Sequence, residues 1–357
     1  MTVAGSDPVS FEELQLAARN HGLPLEALRW PLTPVGLHYL LIHYDIPMVD
    51  AAGWRLEVGG RVAAPLSLSL DELRRRPVVS LPVTFECAGN GRALLSPRPR
   101  SQPWLVEAVG TAEWTGTPLR SLLAEAGVNA DDAVEVLFTG SDRGVEGGVQ
   151  QRYERSLPLA EALAEDVLLA WAVNGQPLPP QHGAPLRLVV PGWYGMTNVK
   201  WLERITVLDE PFAGYQQAEA YRLLDGQGPD GPVTRMRPRA LLVPPGIPDF
   251  YTRRRLLGPG PCRLEGRAWS GSGQVTAVEV SDDDGRSWAG ASLGEPVGRW
   301  AWRPWALDWS PPGPGEYVLC CRATDATGER QPSGPVWNRK GYANNAVHRV
   351  PVTVTAS

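Results

Sequence analysis

Apolar residues recur along this chain in short runs separated by turn residues, and the runs change texture about two-thirds of the way along. Ser10 and Glu13 bracket the start of "FEELQLAARN" as a capping box, so a short opening helix is predicted, with Gly22 as its stop. "GLHYLLIHYDIP" reads as a strand running into a loop, "WRLEVGG" as a further strand, and "SLDELRRRP" as a short helix closed by Pro77. In "GTPLRSLLAEAGV", Leu119, Leu122, Leu123 and Ala126 share one helical face; Thr117 is expected as N-cap, Pro118 at the first helical position and Gly127 beyond the end. Val134, Val136 and Phe138 alternate with the period of a strand. "SLPLAEALAEDVLLAWAVNG" predicts a capped helix and then a buried strand, while "APLRLVVPG" and "NVKWLERITVLDE" supply two more strands.

Residues 211–250 are rich in Gly, Pro and Gln, and "DGQGPDGP" and "LVPPGIP" read as linker segments. From about residue 262 the runs become short, alternating and regularly punctuated, as in "VTAVEVS", "GRWAWRPWALDW" and "GEYVLCCRATD". Asp284-Gly285 between such runs is a hairpin signal. Tyr317, placed after a Pro/Gly corner, has the setting of the tyrosine corner of immunoglobulin-like sandwiches. The expected class is therefore α+β: a helical extension over 1–34, a mixed α/β domain over 35–232 and an immunoglobulin-like β-sandwich over 233–357. No internal repeat relates the two halves.

Composition sharpens this picture at a few points. A chain of 357 residues is too long for one comfortable core. Gly 38 and Pro 35 favour loops and short strands over long helices, and Trp 14 demands a large core or stacking surfaces. Net charge is −5 with no block of Lys or Arg, which argues against nucleic acid and anionic membranes as partners. The longest apolar run, "VLLAWAV", suits a buried strand and is too short to span a bilayer. "MTVAGSDPVS" has neither a basic start nor an apolar stretch, so the cytoplasm is expected, with the periplasm left open if a leader has been removed. Cys87, Cys262, Cys320 and Cys321 form no C-x-x-C pair, so neither a zinc site nor a disulfide framework is expected.

Two stretches carry candidate chemistry. In "TFECAGNGR" a strand ends on Cys87 at the mouth of a Gly/Asn turn, five residues before Arg92. A lone cysteine is commonly a small buried hydrophobe; the alternative is a thiolate favoured by a nearby fixed charge. "PQHGAPLRLVVPGWYGMTNVKW" sets His182, Arg187 and Lys200 around a strand and a Gly-rich turn. Imidazole, guanidinium and ammonium at loop ends would form an anion cradle, unless all three are solvated surface charges. Neither a Walker loop nor a G-x-G-x-x-G turn is present.

"TFECAGNGR", "HGAPLRLVVPGWYGMTNVKWL" and "WNRKGYANNAVHRV", in that order, resemble the sulfite oxidase family of molybdopterin enzymes, over roughly residues 35–353. The resemblance implies that Cys87 is the protein's thiolate ligand to molybdenum. It implies that His182, Arg187, Asn198, Val199 and Lys200 contact the pterin and its phosphate, and that Asp142, His43 and Tyr44 line the cofactor. Arg92, Trp104, Tyr153 and Tyr221 match substrate-pocket positions, and Lys340 falls where relatives contribute an arginine. Arg92 and Lys340, each beside a loop glycine, are expected to face a cleft and bind the substrate anion.

Several positions depart from the family pattern. Ile42 and His43 occupy a segment where members commonly show an arginine, Gly91 stands where many have a second arginine, and Thr197 replaces an arginine before Asn198. His43 is a candidate to supply the missing charge. The implied activity is oxidation of sulfite to sulfate by oxygen-atom transfer on a molybdenum–molybdopterin cofactor, without haem and with an external electron acceptor. The sandwich is similar to the family's dimerisation domain, which implies a homodimer. The rival readings are a nitrate or sulfoxide reductase on the same scaffold and a cofactor-free immunoglobulin-like binding protein.

Overall fold

The computed structural model describes residues 8–226 and 230–356. The leader reading of residues 1–7 and the centre of the "DGQGPDGP" linker lie outside the described residues. The opening helix α1, Phe11–Arg19, starts on the expected capping box, with the Ser10 side chain accepting from Glu13 N–H and Glu13 reaching back to Ser10 N–H. It stops earlier than expected, at Asn20 in extended conformation. Gly22 is instead needed for a close approach, because a Cβ there would lie 2.6 Å from Glu107 Cβ.

The first half is built on two sheets, formed by β1 (Arg55–Gly60), β2 (Leu66–Ser69), β3 (Val79–Glu86), β4 (Val109–Pro118), β5 (Glu135–Glu146), β6 (Val149–Pro158), β7 (Leu168–Val173), β8 (Gln176–Pro177), β9 (Arg187–Val189) and β10 (Leu202–Leu208). One sheet has the order β2-β1-β10-β5-β6, with β1 and β10 parallel and the other neighbours antiparallel. The other runs β3-β4-β7-β8, with β9 paired to β7. The expected strand at β7 is almost wholly buried. Helices are short: Leu70–Arg74, Leu119–Ala126 and Leu159–Ala162. The Leu119–Ala126 helix buries the predicted face of Leu119, Leu122, Leu123 and Ala126 and ends on Gly127 at φ 69. Its N-cap is Pro118, without a side-chain cap, because Thr117 is the penultimate residue of β4 and its hydroxyl has no partner.

The "GLHYLLIHYDIP" segment is not a strand. Val35–Leu37 forms a 3₁₀ turn, and among the described residues one isolated bridge, Leu40 to His21, is its sole sheet-like contact. Its backbone groups are taken by side chains: Asn20 Oδ1 accepts from Ile42 N–H, and Lys200 donates to the Leu41 carbonyl. A segment so held cannot join a ladder.

The second half is a β-sandwich. One sheet has the order Arg239–Leu242, Cys262–Trp269, Arg303–Trp309, Ser292–Leu293. The other has the order Ile247–Pro248, Arg255–Leu257, His348–Val354, Gly315–Asp325, Val275–Ser281, Ala289–Gly290. Residues 239–242, read as linker from composition, are a fully buried strand; the chain enters the sandwich before its Pro-rich stretch. The Asp284-Gly285 turn has positive φ at both residues (63 and 84) and lies inside the longer connection that joins the antiparallel strands Val275–Ser281 and Ala289–Gly290. Tyr317 Oη donates to the Gly313 carbonyl at 2.8 Å, completing the corner. The sandwich has its own core, around Leu242, Leu264, Trp305 and Val352, while a second cluster crosses between the halves: Leu241, Val243, Trp269 and Trp302 pack with Leu23, Leu28 and the β-strands of the first half. Trp114, Trp201, Trp302 and Trp305 are among the largest fully buried side chains, which is where much of the unusual tryptophan content goes.

Candidate functional site

Glu86 ends β3, and the chain turns at once through Cys87, whose carbonyl accepts from Asn90 N–H at 3.0 Å. Asn90 fastens this turn by donating to Glu86 Oε1 and to the Val106 carbonyl while accepting from Ala108 N–H. Gly91 continues it at φ 89, with Asn344 O 2.9 Å from where a Cβ would stand. An arginine here would face left-handed strain and a backbone clash, so Gly91→Arg should cost about 1–3 kcal/mol of stability rather than add a pocket charge. Thermal unfolding of that variant checks this.

Cys87 opens onto a cleft that encloses ≈ 600 Å³ of free space, mouth included. Nine of the residues expected at the site line it: His43, Cys87, Asp142, Tyr153, His182, Arg187, Asn198, Lys200 and Tyr221. One end is cationic. Arg187 donates to the His182 carbonyl at 2.9 Å and to the Asn198 carbonyl at 3.2 Å, with its guanidinium 4.6 Å from the Trp114 ring centroid. Lys200 Nζ donates to the carbonyls of Leu41 (2.8 Å) and Gln181 (3.2 Å). Asn198 accepts from Val190 N–H at 2.7 Å, which locks the loop carrying these groups.

Burial sets the protonation states. It lowers Lys200 to about 7 with help from Arg187, and Arg187 to about 10. Burial likewise lowers His182 to about 2, with His38 and Arg187 adding to the effect, so its imidazole is neutral. Asp142 is raised to about 6 by burial, against the pull of Lys200. In the cofactor-free protein, Lys200 is charged only below about 7. Sulfate, whose charge is constant in this range, should therefore bind the cradle more weakly as pH rises through 7. Calorimetry at pH 6 and 8 checks this, and the dependence should shrink in Lys200→Met to the part that ionisation of Asp142 contributes.

The other end is aromatic. His43 stacks on Tyr153 (centroids 4.5 Å apart) and makes a 2.5 Å hydrogen bond through Nε2 to Tyr221 Oη. Tyr153 Oη donates to the Met196 carbonyl at 2.6 Å. Burial, reinforced by Lys200, lowers His43 to about 3. His43 is thus neutral at pH 7 and does not replace the missing arginine as a charge.

Five expected site residues stand back from the cleft lining. Arg92 folds beneath the Cys87 turn, donating to the carbonyls of Lys340 (3.0 Å) and Gln102 (3.0 Å), and lies 5.0 Å from the Tyr342 ring centroid. Lys340 donates to the carbonyls of Glu219 and Ala220. The expectation that both point into a cleft therefore fails: carbonyls left open by irregular loops claim their donors. Tyr44 donates to Glu146 and accepts from Gln216. Val199 is fully buried, and its carbonyl accepts from Leu188 N–H. Trp104 packs in the cluster around Cys87, and its indole N–H, without a partner of good hydrogen-bond geometry, favours the thiolate. Burial nonetheless pushes the Cys87 thiol up, with Arg92 acting in the opposite direction. The residues not anticipated are His38, Tyr39, Tyr342 and Arg155. His38 and Tyr39 sit in the segment misread as a strand, and Tyr342 in the "GYANNAV" loop beside Lys340.

The donor set fits a molybdopterin group. Among the described residues no three His, Cys, Asp or Glu side chains converge, so Cys87 is a lone soft donor and a metal here must bring its other ligands with it. The cationic end suits a phosphate. Asp142 Oδ1 is buried without a partner, ready to accept from a ring N–H.

Comparison with known proteins agrees with this donor set. Residues 43–216 match an oxidoreductase molybdopterin-binding domain, and 253–355 a Mo-co oxidoreductase dimerisation domain. Sulfite oxidase from Gallus gallus is 38% identical over 336 residues, covering 89% of this chain and 72% of that protein. Mitochondrial sulfite oxidase from Mus musculus is 36% identical, with 90% of this chain and 62% of that protein covered. The NADH nitrate reductase of Solanum lycopersicum is 31% identical over 99% of this chain but only 41% of its own length. Among solved structures, the sulfane dehydrogenase SoxCD from Paracoccus pantotrophus superposes with a TM-score of 0.81 at 28% identity, covering 100% of this chain and 90% of that one. With a lone buried thiol facing an anion cradle, and these likenesses running through both halves, the chain belongs to the sulfite oxidase family of molybdopterin oxidoreductases.

Proposed function

We propose that this protein oxidises sulfite to sulfate: sulfite and water yield sulfate, two protons and two electrons, and the electrons pass to an external acceptor. The observation that carries the reading is the cleft itself, with one soft sulfur donor between a cationic end and a proton-holding His43–Tyr221 pair. A molybdenum–molybdopterin group, when bound, supplies the two-electron redox change. His182, Arg187 and Lys200 would hold its phosphate, Asp142 and Asn198 its pterin, and Cys87 its metal. Tyr221, fixed by His43, presents a hydroxyl at the substrate end and can donate a hydrogen bond to an oxygen there. Arg92 acts on the pocket through the Cys87 turn and Tyr342.

Nitrate or sulfoxide reduction is the second reading. It is favoured by the nitrate reductase relatives and by a substrate end where His43 is neutral and Lys340 is tied to main-chain carbonyls. The test is metal analysis of the purified protein, followed by turnover of sulfite, nitrate and a sulfoxide with artificial electron carriers. Bound molybdenum with sulfite as the preferred substrate supports the proposal; preference for nitrate or the sulfoxide selects the second reading. The sandwich is proposed to join two copies, so sedimentation at micromolar concentration should give a dimer. A monomer there would remove that assignment.

A further inference from the structure

Arg155 is a buried cation that the proposed chemistry leaves unused. It lies on β6 two residues beyond Tyr153, and strand period puts both side chains on one face. The residue is 1% exposed, yet no carboxylate pairs with it among the described residues. Its Nη1 donates to the Gln216 carbonyl, its Nε has no partner, and its Cζ lies 5.6 Å from the Tyr221 ring centroid. The groups whose charge would favour it are chiefly the phenols of Tyr153, Tyr221 and Tyr342, neutral at pH 7. The carboxylate that reaches it more weakly, Glu135, accepts from Phe212 N–H, and Glu146 is engaged by Tyr44 and Gln216.

An unpaired buried guanidinium is costly, because it gives up hydration without an ion partner. Here it stands against the ring of Tyr221, a residue that lines the cleft and bonds His43. We propose that Arg155 is a specificity-determining residue: a fixed positive charge that favours anionic substrates at the Tyr221 end of the cleft. The inference rests on the oxygen-atom transfer reading. It also accounts for how a pocket lacking the family's usual arginine near His43, and with Lys340 turned to carbonyls, can receive a dianion.

The test uses the cofactor-loaded protein with molybdenum content verified. Arg155→Met removes the charge and keeps most of the volume. Arg155→Lys keeps the charge, and Arg155→Gln retains a donor for the Gln216 carbonyl should the methionine variant fail to fold. The uncharged variants should raise KM for sulfite roughly tenfold, the scale of one unit charge acting across about 10 Å of protein. In them kcat should stay within about twofold, and a neutral sulfoxide should show no comparable change in KM. Arg155→Lys should recover most of the sulfite affinity. Equal losses for sulfite and the neutral sulfoxide, loss of affinity in the lysine variant as large as in the methionine one, or unchanged KM would each overturn the proposal. Binding of sulfate to wild type and Arg155→Gln by calorimetry separates this from the functional reading. If the wild type does not turn over sulfite but binds sulfate about tenfold more tightly than the variant, the functional reading fails and Arg155 keeps its role. Equal sulfate affinities would sink the role of Arg155 whatever the substrate.

Discussion

Cys87→Ser should lower turnover by about 100-fold or more while leaving pterin in the protein, since outer-shell changes at metal sites alone cost 10–100-fold. The cradle of His182, Arg187 and Lys200 is built from the loops around β9, whereas Cys87 comes from the end of β3. Removing the sulfur therefore leaves the phosphate contacts intact. The substitution replaces a soft, polarisable donor with a hard one at a position where, among the described residues, no His, Cys, Asp or Glu cluster can compensate. Folding should be little affected, because the turn is held by Asn90 and by main-chain bonds rather than by the thiol. Pterin fluorescence after denaturation, metal content and turnover together check this. Wild-type turnover in the serine variant would show that the sulfur is not a ligand. Loss of pterin along with activity would show that the two ends of the cleft are not independent.

How much of this was legible beforehand depended on whether a residue's role follows from its neighbours in sequence. The capping box at Ser10, the apolar face from Leu119 to Ala126 and the tyrosine corner at Tyr317 are local patterns, and each appears as read. The cradle was legible for a similar reason: His182, Arg187 and Lys200 lie within 19 residues and flank one short strand, so their convergence is short-range. Failures came where long-range partners decide. The 35–45 segment has strand-like composition, but Asn20 and Lys200 take its backbone groups and turn it into cleft wall. Arg92 and Lys340 sit beside glycines as expected of loop residues, yet the carbonyls that capture them come from Gln102, Glu219 and Ala220, which proximity in sequence does not announce. Arg155 is the intermediate case. Its spacing from Tyr153 places it on the right face of β6, but only the fold shows that no carboxylate among the described residues meets it.

The largest stability effect should come from the contact that ties the Cys87 turn to the sandwich. Glu86, next to Cys87, meets Arg239 Nε at 2.9 Å, with the two side chains 1% and 2% exposed. Trp269 Nε1 donates to the other carboxylate oxygen at 2.9 Å and Asn90 donates to the first at 3.0 Å. Arg239 also donates to the carbonyls of Asn90 and Asn344, and Asn344 donates back to the Gly91 carbonyl at 2.8 Å. Burial pushes the Glu86 carboxyl up while Arg239, Trp269 and Asn90 pull it back, so the pair's net contribution is small compared with the penalty of dividing it. Glu86→Ala leaves Arg239 charged and alone and strands two further donors; it should cost about 3–5 kcal/mol, and Arg239→Met, which strands the carboxylate, should cost a similar amount. The double variant Glu86→Ala/Arg239→Met closes the cycle and buries no unpaired charge. It should be markedly more stable than either single variant, a coupling that only shared partners produce. Urea midpoints at unchanged slope measure these differences. Additive losses, or single-variant costs below about 1 kcal/mol, would mean that the pair is solvated in solution. Because the same residues fix the Cys87 turn, the single variants should also lose molybdenum more readily on dialysis than the double variant. That ordering would tie the sandwich to metal retention through one buried carboxylate.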